Sequence, residues 1–484
     1  MQHITAAKLW PRFRAKFIGD RAFYKMALGL VIPVVIQDTV SNVVNLLDNV
    51  MVGRLGTAHL SGVAIANQLM FVYHLSVFGV LAGAGIYGAQ YAGAKHWQSF
   101  RETLRFKLLA SLVITGLALV ILTQWPVQLI SLYLSGEGAA ADSGAMLMQG
   151  MDYLRIMLWG MLPFALAQCY SSALREAGET VLPMRASVIA VLTNLVLNYV
   201  LIFGKLGFPA LGVKGAALAT VLSRVTELCV VVVTAHRHRD RFVFLNGLYR
   251  SLRIGRDLAR NIVIKGMPMF LNELLWAGGM VTITQILSTK GLGVVGALNI
   301  ASTFTNLFGV FFFSCGIAVA IVIGQLLGAG ELEMAKAQVW KLMFFSIMLA
   351  SVVGTALLIS AGWITQIYNT EAEVRALAAA FMRTAAFHMP FQAVAVCSYF
   401  AIRSGGRTLL TMVFDCFYTW VITVPYTYAL VTFTSWGIER IYPLAQLVHP
   451  VKAVLGIMLL STGYWARNLV ADEKAAASSY ETGT

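Results

Sequence analysis

Apolar residues run along this chain in long unbroken blocks, without the alternation of a half-buried strand or the narrow stripe of an amphipathic helix. Leu108–Leu122, Val221–Thr234 and Leu342–Trp363 are representative. A helix rises ~1.5 Å per residue and the hydrocarbon core of a bilayer is ~30 Å thick, so about 20 apolar residues cross it. Dividing the blocks at glycine, proline and charged positions predicts twelve helices, at about 24–53, 58–93, 100–134, 144–174, 181–204, 211–235, 260–288, 292–328, 335–368, 373–402, 408–436 and 440–466. The expected fold is an all-α integral membrane protein with twelve transmembrane helices.

Composition agrees: 58% of the 484 residues are hydrophobic and 12% charged, against about 25% charged in a soluble domain. The formal net charge of +14 raises nucleic acid as a partner, but its distribution argues against that. Of 36 Lys and Arg, 26 fall in the two terminal segments and alternate loops with their adjoining helix ends, 6 in the other loops and 4 within spans. Basic residues favour the cytoplasmic side, which puts both termini inside, as an even number of spans requires. Met1–Lys25 is basic but lacks an apolar stretch followed by a small-residue cleavage site, so the first span is expected to act as the insertion signal. Five cysteines fall in predicted spans without CxxC spacing and read as buried free thiols, with no metal site or disulfide expected.

The chain matches itself. At an offset of 235 residues Pro33 meets Pro268, Asp38 meets Glu273, Gly56 meets Gly291, Gln90 meets Gln325 and Gly93 meets Gly328. After Tyr133 a longer external loop, Ser135–Ser143, changes the offset to 228, and Arg175 then meets Arg403, Gly178 meets Gly406 and Arg224 meets Lys452. Two repeat-related six-helix bundles follow: an N-lobe at 1–240, a cytoplasmic linker at 241–259, and a C-lobe with a cytoplasmic tail at 260–484. An even number of helices per half gives both halves one orientation, with a substrate cavity expected between them. The repeated glycines read as helix ends and turns, and Arg175 and Arg403 as cytoplasmic anchors.

An ionisable group near the bilayer midplane costs roughly 2.5–3.5 kcal/mol and needs a partner or a wet cavity. Asp38, 13 residues beyond Lys25, and its repeat mate Glu273 are such groups, as are Arg224 and Lys452 in the last helix of each half. Symmetry pairs Asp38 with Arg224 and Glu273 with Lys452, while Glu227, three residues on, competes for Arg224. Asp415, 8 residues past Arg407, is placed near the inner mouth. Trp276, Tyr73 and Tyr418 would suit an aromatic-lined cavity for lipophilic cations. Scattered histidines, with no HExxH or nucleophile motif, leave a membrane-embedded enzyme without a catalytic constellation.

Residues 32–68, with LLDNVMVGRLG, and 171–224, with LVLNYVLIFGKLGFPALGVKGAALAT, are distinctive, as is 266–302. With them the whole chain resembles the bacterial MATE (multidrug and toxic compound extrusion) family. The resemblance implies a cation-coupled antiporter of the bacterial inner membrane, exporting organic, often cationic, small molecules in exchange for protons or sodium ions. No cofactor or nucleic acid is implied, and a monomer suffices. Several members use an N-lobe acid fifteen residues after the first-helix proline, here Asp48; the polar positions beside it correspond to Asn194, Asn198 and Thr220. Some members carry a second carboxylate where this chain has Asn198. A C-lobe sodium site of one branch maps onto Trp276 and Gln392, so it does not carry over intact; Glu273 is the acid of that helix. The alternative within the superfamily is a flippase for a lipid-linked precursor, which usually has additional spans.

Overall fold

The computed structural model describes Pro11 and residues 14–133 and 143–473. Residues 135–142 of the expected external loop fall outside the described residues, as do 1–10 and 474–484. Twelve long helices fill the rest: α1 Arg21–Gly53, α2 Thr57–Gly93, α3 Trp97–Gln124, α4 Ser143–Glu176, α5 Val181–Phe203, α6 Val213–Arg237, α7 Arg256–Ser288, α8 Leu292–Gly328, α9 Leu332–Ile364, α10 Ala372–Ser404, α11 Thr408–Phe433 and α12 Ile438–Ser461. No strand occurs among the described residues. Ten of the twelve are apolar enough along their length to cross a membrane. The other two, α4 and α7, are less apolar: α4 carries charges near its ends and Gln168, Tyr170, Ser171 and Ser172 between them, and α7 has a charged first turn, Lys265 and Glu273.

The repeat is visible in the helix lengths. α1 and α7 each have 33 residues, α2 and α8 each have 37, and α4 and α10 have 34 and 33. Gly178 and Gly406 close the turns after α4 and α10 with φ of 87° and 70°, a backbone region that glycine enters without steric cost. Two expectations need correction. The third helix stops at Gln124, because Trp125 leaves the helical region ahead of Pro126 and a separate six-residue helix follows. Of the five free cysteines, Cys229 on α6 is exposed.

The compact units of the fold are not contiguous in sequence. One comprises 36–88 and 97–263 and is called the N-terminal unit below; the other comprises 1–35, 89–96 and 264–484 and is called the C-terminal unit. In the C-terminal unit α10 is central, packing against α8, α9 and α12. Apolar side chains such as Phe23, Leu342, Phe381, Met382 and Trp465 fill its two largest clusters. In the N-terminal unit α6 packs on α4 and α5, and α4 packs on α3.

Gly93 and Gly328 end α2 and α8 and lead into their turns, and they also permit a close crossing within the C-terminal unit. A Cβ on Gly93 would lie 1.9 Å from the carbonyl oxygen of Gln325, and one on Gly328 would lie 1.8 Å from that of Gln90. The last turns of α2 and α8 thus touch backbone to backbone, each glycine against the repeat mate of its own neighbouring glutamine. The Gln90 carboxamide continues the contact into the C-terminal segment. Its nitrogen donates to the carbonyls of Ser404 at 2.8 Å and Arg467 at 3.1 Å, and its oxygen accepts from the Leu469 amide at 2.7 Å.

Candidate functional site

A cavity of about 300 Å³ lies within the N-terminal unit. Helical spacing builds its polar wall. Asn45, Asp48 and Asn49 share one face of α1, while Thr220 and Arg224 stand one turn apart on α6, and Asn198 reaches in from α5. Asn198 Nδ2 donates to Asp48 Oδ1 at 2.5 Å. Asn194, one turn before Asn198 and buried with it, is within reach of the same carboxylate. With its nitrogen turned toward Asp48 it donates at 3.0 and 3.1 Å to the two carboxylate oxygens. In the opposite orientation it donates to Thr220 at 3.3 Å. A half-buried carboxylate held by amide donors is an acceptor with a fixed direction, and charge-assisted bonds of this kind are the stronger class. Sequence reasoning thus places Asp48, Asn194, Asn198 and Thr220 together, and the structure brings them together.

The aromatic wall is different from the expected one. Phe71, His74 and Tyr153 line the cavity. Tyr73 is instead buried, its hydroxyl bonded to Thr115 at 2.9 Å and donating to the Met161 carbonyl at 2.8 Å. Tyr418 is likewise enclosed in the C-terminal unit and donates to the Val448 carbonyl at 2.7 Å.

The symmetric acid–base pairs also need correction. Arg224 pairs with Glu227 on its own helix, Nη1 to Oε2 at 3.3 Å, and not with Asp38. Asp38 instead interacts electrostatically with Arg175. Lys452 pairs with Asp415 at 2.6 Å, and not with Glu273. Glu273 accepts from the Tyr399 hydroxyl at 3.2 Å and interacts with Arg403. The repeat therefore does carry an acid–base arrangement, Asp38 with Arg175 and Glu273 with Arg403, but its bases are the two arginines read from sequence as anchors.

Around Asp415 the C-terminal unit forms a second polar cluster. Asn272 donates to Asp415 Oδ2 at 3.1 Å, so the carboxylate holds an amide on one oxygen and the Lys452 ammonium on the other. Asp415 lies in the first of two π-helical stretches of α11, Val413–Phe417 and Thr419–Thr423, a local widening that recurs at functional sites. Gln392 is half-buried on α10 and takes no part in this cluster's hydrogen bonds. Trp276 is half-buried beside Leu275, whose carbonyl accepts from Trp420 Nε1 at 2.8 Å. Breaking a buried pair from one side leaves an uncompensated charge, which costs about 3–5 kcal/mol. Asp415→Asn and Lys452→Met should each lower thermal stability strongly, and the double variant should recover much of the loss. Additive losses in the four-protein cycle would show that the pair does not form.

A third ion pair has no counterpart in the repeat. Lys107 is fully buried in the N-terminal unit and donates to both oxygens of Glu176 at 2.5 Å. Gly85 and Gly88 leave the space that the carboxylate occupies, since a Cβ on either would lie within 2.9 Å of it. The repeat positions hold Leu342 and Ser404.

Comparison with known proteins agrees with the helical fold and its repeat. The family model described as MatE matches residues 33–200 and 268–429, two stretches that begin at the repeated prolines. A probable multidrug resistance protein NorM of Thermotoga maritima is 23% identical over 448 residues, covering 92% of this chain and 94% of that protein. Among solved structures, an outward-facing multidrug resistance MATE transporter of the MOP superfamily is similar, with a TM-score of 0.81 at 21% identity over 92% of this chain and 97% of that one. A variant of the Vibrio cholerae MATE transporter VcmN has a TM-score of 0.83 at 16% identity, over 93% and 98%.

Proposed function

The chain belongs to the MatE family of multidrug transporters, and from that premise we propose that it is a cation-coupled antiporter whose N-terminal cavity takes the coupling cation at Asp48. The observation that carries this is the Asp48 carboxylate, held by Asn198 and within reach of Asn194, on the wall of a cavity. A proton or sodium ion arriving at Asp48 neutralises it and weakens its hold on an organic cation in the same cavity. Departure of the coupling cation restores the charge and the affinity. Each species is thus favoured when the other has left, which is the condition for exchange. Thr220 and Asn194 supply oxygens that suit a sodium ion as well as a proton site. We further place the protein in a bacterial inner membrane with both termini in the cytoplasm, on the asymmetry of its Lys and Arg.

Inverted membrane vesicles from expressing cells test these points together. A fluorescent lipophilic cation should enter the lumen when protons or sodium ions are more concentrated inside, and the uptake should collapse when that gradient is dissipated. In the same vesicles, Leu252→Cys in a chain lacking the native cysteines should react with an impermeant maleimide. Uptake indifferent to both gradients sinks the coupling, and a protected Leu252→Cys sinks the orientation.

A further inference from the structure

The cavity holds a positive charge that binding a coupling cation does not need. Arg224 lines it together with Asp48, so an organic monocation attracted to the carboxylate also meets a fixed guanidinium. A guanidinium has five N–H donors, and the contact to Glu227 at 3.3 Å uses one nitrogen. The two partners are unequally placed: the Glu227 side chain is 3% exposed and that of Arg224 34%. The Phe164 ring supports the guanidinium, 5.1 Å from centroid to carbon. Glu227 and Phe164 therefore hold the arginine in place, and it lines the cavity with one nitrogen committed to Glu227.

We propose that Arg224 is a receptor for a carboxylate or similar oxyanion on the transported molecule, so that the preferred substrates of this cavity are zwitterionic amphiphiles. Such a molecule sets its ammonium group against Asp48 and its carboxylate against Arg224, and satisfies both charges; a monocation satisfies one and is repelled by the other. Arginine presents paired donors that match a carboxylate with two parallel bonds. The amides of Asn45 and Asn49, beside Asp48 on α1, can donate or accept and so serve either end. Because Glu227 and Phe164 both hold Arg224, the guanidinium remains in place whether or not substrate is bound. A coupling cation arriving at Asp48 releases the ammonium end of the zwitterion while the carboxylate end is still held. The inference rests on this cavity being the substrate site.

The test uses the purified full chain in lipid nanodiscs, without a gradient, and a matched pair of probes: an aminoxanthene dye with a free carboxylate, and its ethyl ester. The acid should bind more tightly than the ester to the wild-type protein. Arg224→Gln should cut that preference by roughly ten- to a hundredfold, the scale of a lost hydrogen bond to a charged group, while affinity for the ester holds or rises. Arg224→Lys, which keeps the charge without the paired donors, should retain part of the preference. A wild-type preference of one or below overturns the proposal whatever the variants do. So does an equal weakening of both dyes in Arg224→Gln, which would make the arginine structural or a counter-ion to Asp48. Failure of the wild-type protein to bind either dye removes the substrate-site reading as well as the proposal, whereas binding of both without preference removes the proposal alone.

Discussion

Asp48→Asn should abolish gradient-driven efflux and leave a folded, inserted protein. The amide has the shape of the carboxylate and still offers an oxygen to Asn198, which donates to Asp48 at 2.5 Å in the native chain. The substitution also spares the other charges of the cavity, because Arg224 has Glu227 as its partner and is not left alone. Removing a carboxylate from a membrane segment relieves roughly 2.5–3.5 kcal/mol of insertion cost, while exchanging a charged for a neutral hydrogen bond gives up about 1 kcal/mol. Thermal stability should therefore hold or rise while transport is lost. That divergence separates a coupling residue from a structural one, since a structural role would lower both. Uptake into inverted vesicles, measured with the melting temperature in detergent, checks it. Normal gradient-driven uptake by a well-expressed Asp48→Asn protein would remove Asp48 from the mechanism.

The second large effect belongs to packing. In Gly328→Ala the new methyl would lie 1.8 Å from the Gln90 carbonyl oxygen, a backbone atom with no rotamer to retreat into. The ends of α2 and α8 must separate, and the three hydrogen bonds of the Gln90 carboxamide are pulled with them. Overpacking costs about 1–3 kcal/mol, and a buried polar group left without its partner costs a further 1–3 kcal/mol or so. A marked fall in melting temperature and in yield follows. Gly116→Ala is the control: it too is a helix glycine, nothing lies within 4 Å of its added methyl, and it should be neutral or mildly stabilising. Gly93→Ala faces the same crossing from the other side, at 1.9 Å from Gln325. The double variant should therefore lose less than the sum, because helices already parted admit the second methyl freely. Equal behaviour of Gly328→Ala and Gly116→Ala would mean that the crossing is not as tight as described.

The course of the chain was largely legible, and the reason is specific to membranes. Length and apolarity are imposed on each helix by the bilayer, so α2 and α8 announce themselves from their own residues. The glycines at 178 and 406 are needed by their own turns and were equally visible. Partnership is different, because a helix's sequence states which residues share its faces but not which neighbour each face meets. Counting residues put Asp38 and Arg224 at similar depth, yet Glu227 on the same helix holds Arg224, and Arg175 is the base that acts on Asp38. The repeat matches Arg175 with Arg403, but the end of a span is where an anchoring arginine is expected, so their partnership with the acids is not legible there. By sequence position Lys107 falls among the charges that set topology, although it is fully buried against Glu176. Nothing local marks a buried lysine, and the glycines that make room for its partner lie on another helix. The Asp48 cluster is legible only through family resemblance, and Tyr153 is not legible because a single tyrosine in a span carries no distinguishing signal.

The Gln90 clamp sets an unusual rule for how this chain can vary. Its three bonds reach the carbonyls of Ser404 and Arg467 and the amide of Leu469, atoms that every residue type supplies except for the missing N–H of proline. The side chains at 467 and 469 are therefore free to change as far as this contact is concerned, with proline at 469 the exception. The spacing between 467 and 469 is not free, because inserting or deleting one residue there would move a carbonyl or an amide out of reach. Related chains should accordingly look divergent in this segment and yet keep its length, with the glutamine as the fixed point from which that length is measured.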